Sequence, residues 1–517
     1  RWQMRARYVD DLVASAVAKI RNHDRYLRAV NDENRRRARR SDGDPTLLTP
    51  KRPQLWDVAP GYDPIHVRRR SDSIAHSVTQ KLRSGTYEPV PPRGFLVPKP
   101  GGGSRTVSAF QIPDEVVSRR LLKSLSAKNE SKLSARAYGY RPRLSVHDAI
   151  AYVSSEFRRT HRLFVAEFDF SKFFDQVRHD YVQESLDRLG IILTHHEQQL
   201  IDRFLRAPLP RLAEESATQP ARTVGLPQGT SISLFLANVV ASELDRSLER
   251  IGVGFARYAD DTLIWSEDYR RVTDAVSALY ESSEHIGAPI NTAKSPGVRL
   301  LTPPGTKETE MRKAFSVDFL GHTLSLRAVR IKEAALHRIR RRITDLLYNN
   351  LLREPLAGTQ SASRLTTTDR DYSTFVWQLR RYMYGSLSEA DVRRYQAGRV
   401  PPMSFEGVMS FFPLVDDAAT LSQLDDWLVA HTWLALRRRR ALLIAAGIRP
   451  PAPHGLDMGA LAGWRTRSSA TGDEVDLRLP SFARIAGVIR SAITTYGFSA
   501  VSTGGVSDYH YGEPADL

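Results

Sequence analysis

The chain has 517 residues, 41% of them apolar, enough for two or more domains with real cores. Lysine and arginine number 75 against 58 aspartate and glutamate, and the resulting +17 favours a polyanionic partner, with nucleic acid first. There is no cysteine, which excludes zinc ribbons, thiol chemistry and disulfide frameworks, and no run of about 18 apolar residues, so no transmembrane helix is expected.

The chain begins at Arg1 with no visible secretory signal, and a cytoplasmic protein is expected. Residues up to about 85 read as helical and basic, with Val9, Leu12, Val13, Val17 and Ile20 at helical spacing. The run Arg35-Arg36-Arg37-Ala38-Arg39-Arg40 fits a solvated helix end or a phosphate-binding patch. Residues 95–107 read as strand, Gly-rich turn and strand, and 114–126 as a helix. Leu163, Phe164, Val165 and Phe168 form an apolar run, a buried strand ending at Asp169. A helix is expected over 231–250, with Ser231 as N-cap and Gly252 after its end. A hairpin at 255–265, a helix at 269–285 and strands near 315–331 follow. Beyond 333 the pattern is mainly helical: 333–351, 370–385, 388–397, 421–446 and 481–496. The stretches 353–368, 399–404 and 448–475 read as linkers. Arg437, Arg438, Arg439 and Arg440 wrap around the 421–446 helix, which fits RNA binding, a subunit contact or a solvated face.

Two features carry chemistry. Tyr258-Ala259-Asp260-Asp261 places two carboxylates at a hairpin tip, where they repel unless a cation sits between them. An isolated Asp-Asp turn also fits plain solubility. Asp169 ends a strand that could neighbour that hairpin, and three carboxylates so placed could bind two magnesium ions about 3.5–4 Å apart. Between these acids, Gly225-Leu226-Pro227-Gln228-Gly229-Thr230-Ser231 forces a turn directly before a helix, a backbone that can approach a phosphate or a base pair.

In this order the strand-borne Asp169, the Leu226-Pro227-Gln228-Gly229 turn and Tyr258-Ala259-Asp260-Asp261 resemble the palm motifs of reverse transcriptases. Arg93 to Arg105 resembles the fingers hairpin, and Ala137-Tyr138-Gly139-Tyr140-Arg141-Pro142 the next fingers motif. Asn291-Thr292-Ala293-Lys294 resembles the palm motif whose lysine faces the leaving group, and Phe319-Leu320-Gly321 the primer grip. The resemblance covers roughly residues 90–330 and implies an α+β right-hand polymerase fold of fingers, palm with antiparallel sheet, and thumb, followed by a mainly helical C-terminal domain. The implied division is a basic helical extension 1–85, fingers 86–165, palm 166–330 with an insertion about 180–224, thumb 331–398 and C-terminal domain 399–517.

The resemblance also implies roles. Asp169, Asp260 and Asp261 hold two Mg2+ ions, or Mn2+, and Lys99 and Arg105 clamp the dNTP triphosphate. Lys294 protonates the leaving pyrophosphate, although a solvated surface lysine fits the same string. Gln228 and Gly229 contact nucleotide and template, and Phe174 packs under the sugar and selects deoxynucleotides; a core phenylalanine is its plainer reading. The Leu226–Ser233 form and the long helical C-terminal part resemble the defence-associated and abortive-infection reverse transcriptases of bacteria. That subgroup implies antiphage defence by RNA-directed or template-independent DNA synthesis, a partner noncoding RNA, a DNA product and, in several relatives, homo-oligomers. Protein priming in some relatives makes Tyr496, Tyr509 and Tyr511 candidate hydroxyls, and Arg35, Arg36, Arg37 and the Arg437–Arg440 run candidate nucleic-acid contacts. An intron- or retron-type enzyme and a non-catalytic RNA-binding scaffold are the competing readings.

Overall fold

A computed structural model describes residues 2–98, 104–212, 219–307, 309–399 and 404–501. The chain divides into two compact units. The first comprises Arg1–Tyr26, Lys51–Leu144 and Thr160–Ala314; the second comprises Leu27–Pro50, Ser145–Arg159 and Phe315–Leu517.

In the first unit, strands β1 (Arg93–Pro98) and β2 (Ser104–Ala109) form an antiparallel hairpin in which Val97 pairs with Arg105. A five-stranded sheet is built from β3 (Leu163–Phe168), β4 (Gly254–Tyr258), β5 (Asp261–Ser266), β6 (Gly297–Leu301) and β7 (Lys313–Ala314), in the order β4-β5-β3-β6-β7. Only the β6–β7 pair is parallel. β3 lies at the centre and is almost wholly buried, which explains its continuous apolar run in place of alternation. The Ser231–Ile251 helix is apolar over most of its circumference because it packs against the helices Ile112–Asn129, His179–Leu189 and Tyr269–Ile286. Its N-cap is Thr230, one residue before the expected Ser231, and Gly252 closes its C-terminus in a left-handed conformation. Phe164, Phe168, Leu236, Val240, Ile264 and Leu279 belong to one continuous core.

The second unit is mainly helical. Strands β8 (Val317–Phe319), β9 (His322–Leu324) and β10 (Val329–Ile331) form a small antiparallel sheet. The Glu333–Leu347, Arg370–Tyr384, Ala418–Ala445 and Phe482–Tyr496 helices bury Ile343, Phe375, Leu379, Leu428, Leu443 and Ile489. The stretch expected as a linker over 448–475 contains a short helix, Met458–Ala462, and an antiparallel pair, β11 (Arg465–Arg467) and β12 (Glu474–Asp476). Arg-Thr-Arg and Glu-Val-Asp carry no run of apolar residues, so neither strand announces itself by pattern. Among the described residues no helix is long and apolar enough to cross a membrane.

Candidate active site

Strand register brings the acids together. Phe168 pairs with Thr262 and Tyr258 with Asp261, so Asp169, one residue past β3, falls at the register position opposite Asp261. Asp260 occupies the two-residue turn between β4 and β5 and is in side-chain hydrogen-bonding contact with Asp169. Burial, then the neighbouring Asp261 and Asp169 carboxylates, push the Asp260 carboxyl up to about 7. The Lys294 ammonium lies 3.1 Å from Asp169 Oδ2, with the lysine side chain 70% exposed and the aspartate 14%. That contact raises the Lys294 pKa. Backbone hydrogen bonds hold the two segments in place: Asn291 N–H donates to the Asp169 carbonyl at 2.8 Å, and Ser171 N–H to the Pro289 carbonyl at 2.7 Å.

The turn itself is strained and braced. Ala259 sits at φ 57, a left-handed conformation costing a residue with a Cβ about 1–2 kcal/mol. Tyr140 and Lys172 also have positive φ, so three of the four such non-glycine residues among the described residues lie in the segments that build the site. Arg257 on β4 is fully buried and grips Asp245 with two hydrogen bonds of 2.7 Å. It also donates to the Ala259 carbonyl at 2.8 Å and to Asn238 Oδ1 at 3.2 Å. Asn238 in turn donates to the Gly139 carbonyl at 2.8 Å. Arg257, Asp245 and Asn238 thus fix the carboxylate hairpin from behind, and no sequence motif marks any of them. In sequence they look like ordinary charged and polar residues of a strand and a helix.

Tyr140 faces the same place. Its ring lies 6.0 Å from Tyr258 and 6.5 Å, edge-on, from Phe174. Burial, then the Asp260 charge, push its phenol up to about 12. Phe174 is partly buried, while its neighbour Phe173 is in the core. The Phe174 carbonyl accepts a 2.6 Å hydrogen bond from Leu226 N–H, and Gln228 Nε2 donates to Asp175 Oδ1 at 2.9 Å. Gly229 has φ +85, and a Cβ there would come within 2.5 Å of the Ser108 carbonyl oxygen on β2. The Leu226–Gly229 turn is therefore wedged between the Phe174–Asp175 segment and the β1–β2 hairpin.

Other expected residues fall elsewhere. Lys99, Tyr509 and Tyr511 lie outside the described residues, and Arg105 is in β2. Phe319-Leu320-Gly321 forms the β8–β9 turn of the second unit, with Leu320 at φ 48. Tyr496 is partly buried and packs edge-on to Tyr395 at 6.4 Å. Arg37 is buried and bonds Glu33 and the Thr46 carbonyl, Arg36 bonds Glu33 at 3.0 Å, and Arg35 is exposed 3.6 Å from Asp32. The Arg437–Arg440 run splits. Arg439 is fully buried, hydrogen-bonding Asp369 and Asp371, and so is not available to a polyanion. Burial opposes the Asp369 charge, but Arg439 and His454 outweigh it and hold that carboxyl below the usual range. Arg437 lies 4.7 Å over the Trp433 ring, and Arg437, Arg438 and Arg440 are exposed.

Among the described residues no group of three His, Cys, Asp or Glu side chains is already arranged as a metal cage. The donor set still suits a hard cation. Asp169 and Asp260 are two oxygen-donor carboxyls in contact, and Asp261 is adjacent.

Residues 97–324 match the family described as reverse transcriptase (RNA-dependent DNA polymerase). Over those residues the chain is similar to a reverse transcriptase domain. That domain, with its central antiparallel sheet and mixed helices, has the right-hand polymerase fold. Protein YkfC of Escherichia coli (strain K12) is 30% identical over 224 residues, 41% of this chain and 55% of that protein. The group II intron-encoded protein LtrA of Lactococcus lactis subsp. cremoris is 25% identical over 232 residues, 44% of this chain and 35% of that protein. The chain thus spans about half or less of these curated relatives. Among solved structures, apo telomerase from Candida Tropicalis truncated from its C-terminal domain aligns with TM-score 0.37 and 14% identity, over 51% of this chain and 60% of that one.

Proposed function

We propose that the chain is an RNA-directed DNA polymerase whose reaction centre is the meeting point of Asp169, Asp260 and Asp261. The contact between Asp169 and Asp260, with the Asp260 carboxyl raised to about 7, carries this reading. Two acids forced together at the end of a rigid sheet are unfavourable in isolation, and such an arrangement is characteristic of sites that need charge. Asp169 and Asp260, with Asp261 beside them, would hold magnesium, which when bound supplies positive charge for phosphoryl transfer. The protein's share is then mostly positioning. Lys294, protonated and salt-bridged to Asp169, holds a proton at Nζ for the departing pyrophosphate. Phe174, braced by Tyr140 and Phe173, supplies a ring against the sugar that leaves no room for a 2′-hydroxyl. Lys99 and Arg105 are assigned to the triphosphate, and Gln228 and Gly229 to nucleotide and template. Incorporation of each labelled dNTP on a defined RNA template with a DNA primer tests the activity, and no incorporation at any template or divalent cation would remove it.

The biological setting we infer is antiphage defence with a noncoding RNA partner, supported by the Leu226–Ser233 sequence form and the long helical C-terminal unit. A plaque assay with the wild type and Asp260→Asn tests it: protection that depends on Asp260 supports defence, and no protection removes it. The intron-type reading is favoured by one observation, that relatives such as LtrA are named as group II intron-encoded. Sequencing the RNA that co-purifies with the chain separates the two, since an intron would be recovered in one case and a short noncoding RNA in the other.

A further inference from the structure

The second unit contains a cleft of ≈ 370 Å³ with no role in the polymerase reading. Its volume lies within the range of small-ligand pockets, about 300–1,000 Å³. One wall is the C-terminal end of the Trp2–Arg40 helix, another is the first turns of the Arg370–Tyr384 helix, and a third is β11 with the turn after it. Among the described residues, six arginines line it and no carboxylate does.

Three of those arginines are neutralised from behind. Arg36 and Arg40 each bond Glu33 at 3.0 Å, and Arg364 bonds Asp371 at 2.9 Å. The others, Arg39, Arg370 and Arg467, are exposed and have no carboxylate partner among the described residues. Glu474, opposite Arg467 in the β11–β12 register, is bonded to Arg465 at 2.9 Å. Three like charges thus share one concave surface with hydroxyls from Thr367, Thr368, Ser373, Thr374, Ser468 and Ser469. Trp377 adds an indole that is 55% exposed, unusual for so large an apolar ring. Guanidinium groups and hydroxyls suit phosphate oxygens, and an exposed aromatic face beside them suits a base. A lining of arginines and hydroxyls suits neither metal ions nor basic peptides.

We propose that this cleft binds single-stranded nucleic acid, with phosphates on Arg39, Arg370 and Arg467 and a base stacked on Trp377. The cleft shares no residue with the carboxylate centre and does not depend on the polymerase reading. RNA and DNA share the chemistry it recognises.

The test uses the full chain carrying Asp260→Asn, so that nothing is extended, with fluorescein-labelled oligo(U) and oligo(dT) about 12 nucleotides long. Anisotropy is read across a salt series. The triple variant Arg39→Gln/Arg370→Gln/Arg467→Gln should weaken binding at least about tenfold and flatten the log–log salt slope by about 2, three contacts at about 0.7 each. A control removing the same charge from exposed positions elsewhere, Arg68→Gln/Arg69→Gln/Arg70→Gln, should change far less. Trp377→Ala should weaken binding roughly fivefold or more, and Trp377→Phe should restore it. Equal effects of cleft and control variants would overturn the proposal, as would full competition by UMP, which marks a mononucleotide pocket. Unequal loss with oligo(U) and oligo(dT) identifies which strand is preferred and supports the site. Failure of the polymerase reading shows separately, as absent dNTP incorporation by the wild type with oligonucleotide binding intact.

Discussion

Gly139 lies directly against Ala259: a Cβ at position 139 would stand 2.6 Å from the Ala259 backbone nitrogen. The loop that carries Tyr140 is therefore packed backbone to backbone on the turn that carries Asp260. Gly139→Ala should displace that turn, and a shift of about 1 Å at a reacting group costs on the order of 100-fold in rate. Single-nucleotide incorporation measures it. A wild-type rate would mean the turn tolerates the displacement or the acids do not react.

Arg257 and Asp245 form a buried ion pair at 2.7 Å. Removing one partner leaves the other charged and uncompensated, so Arg257→Gln should lose about 3–5 kcal/mol in a urea denaturation series. Arg257→Gln with Asp245→Asn should recover part of that loss, because no buried charge is then left alone. Strict additivity of the two single changes would contradict the pairing.

Phe174 is expected to separate deoxynucleotides from ribonucleotides. Phe174→Val should reduce the preference for dNTP over rNTP by at least about tenfold while leaving dNTP incorporation within a few-fold. Competition between a dNTP and its rNTP measures the ratio, and an unchanged ratio would assign Phe174 to the core instead.

Asp114 provides a pH dependence outside the site. Burial raises its carboxyl to about 6, against hydrogen bonds from the Tyr87 hydroxyl at 2.6 Å and Val90 N–H at 3.0 Å. The folded protein holds this proton more tightly than the unfolded chain, so stability falls as pH rises from about 4 to about 6 and the full cost is present above that. Asp114→Asn removes the titration and leaves a pH-independent loss of one acceptor. Its melting temperature relative to wild type should therefore rise between pH 4 and pH 7.5, by the equivalent of about 3 kcal/mol at most. A constant difference across that range would show that Asp114 titrates normally.

The parts of the site legible in sequence are those with a local signature. Asp169 ends an apolar run, Asp260 and Asp261 sit between two strand patterns, and Gln228 and Gly229 precede a helix. Each needs only neighbouring residues to be recognised, and the sheet register then brings the acids together. What escaped depends on partners distant in sequence. Arg257 and Asp245 are twelve positions apart on different elements, and nothing in either string says that both are buried. Arg439 shows the converse: within four consecutive arginines it looks like surface charge, yet Asp369 and Asp371 fold over it. The β11–β12 strands are too short and polar to stand out from a linker by pattern, and the cleft beside them is assembled from three separate segments.

The measurement closest to the central claim is nucleotide incorporation by Asp260→Asn, with thermal unfolding and oligonucleotide binding read on the same preparation. The neutral amide keeps the size of the side chain but cannot supply the carboxylate that faces Asp169. Incorporation should fall by at least about 1,000-fold, a loss of roughly 4 kcal/mol of transition-state stabilisation, with the fold and oligonucleotide binding retained. Polymerisation at the wild-type rate by a folded Asp260→Asn protein would contradict the assignment of this carboxylate pair as the reaction centre.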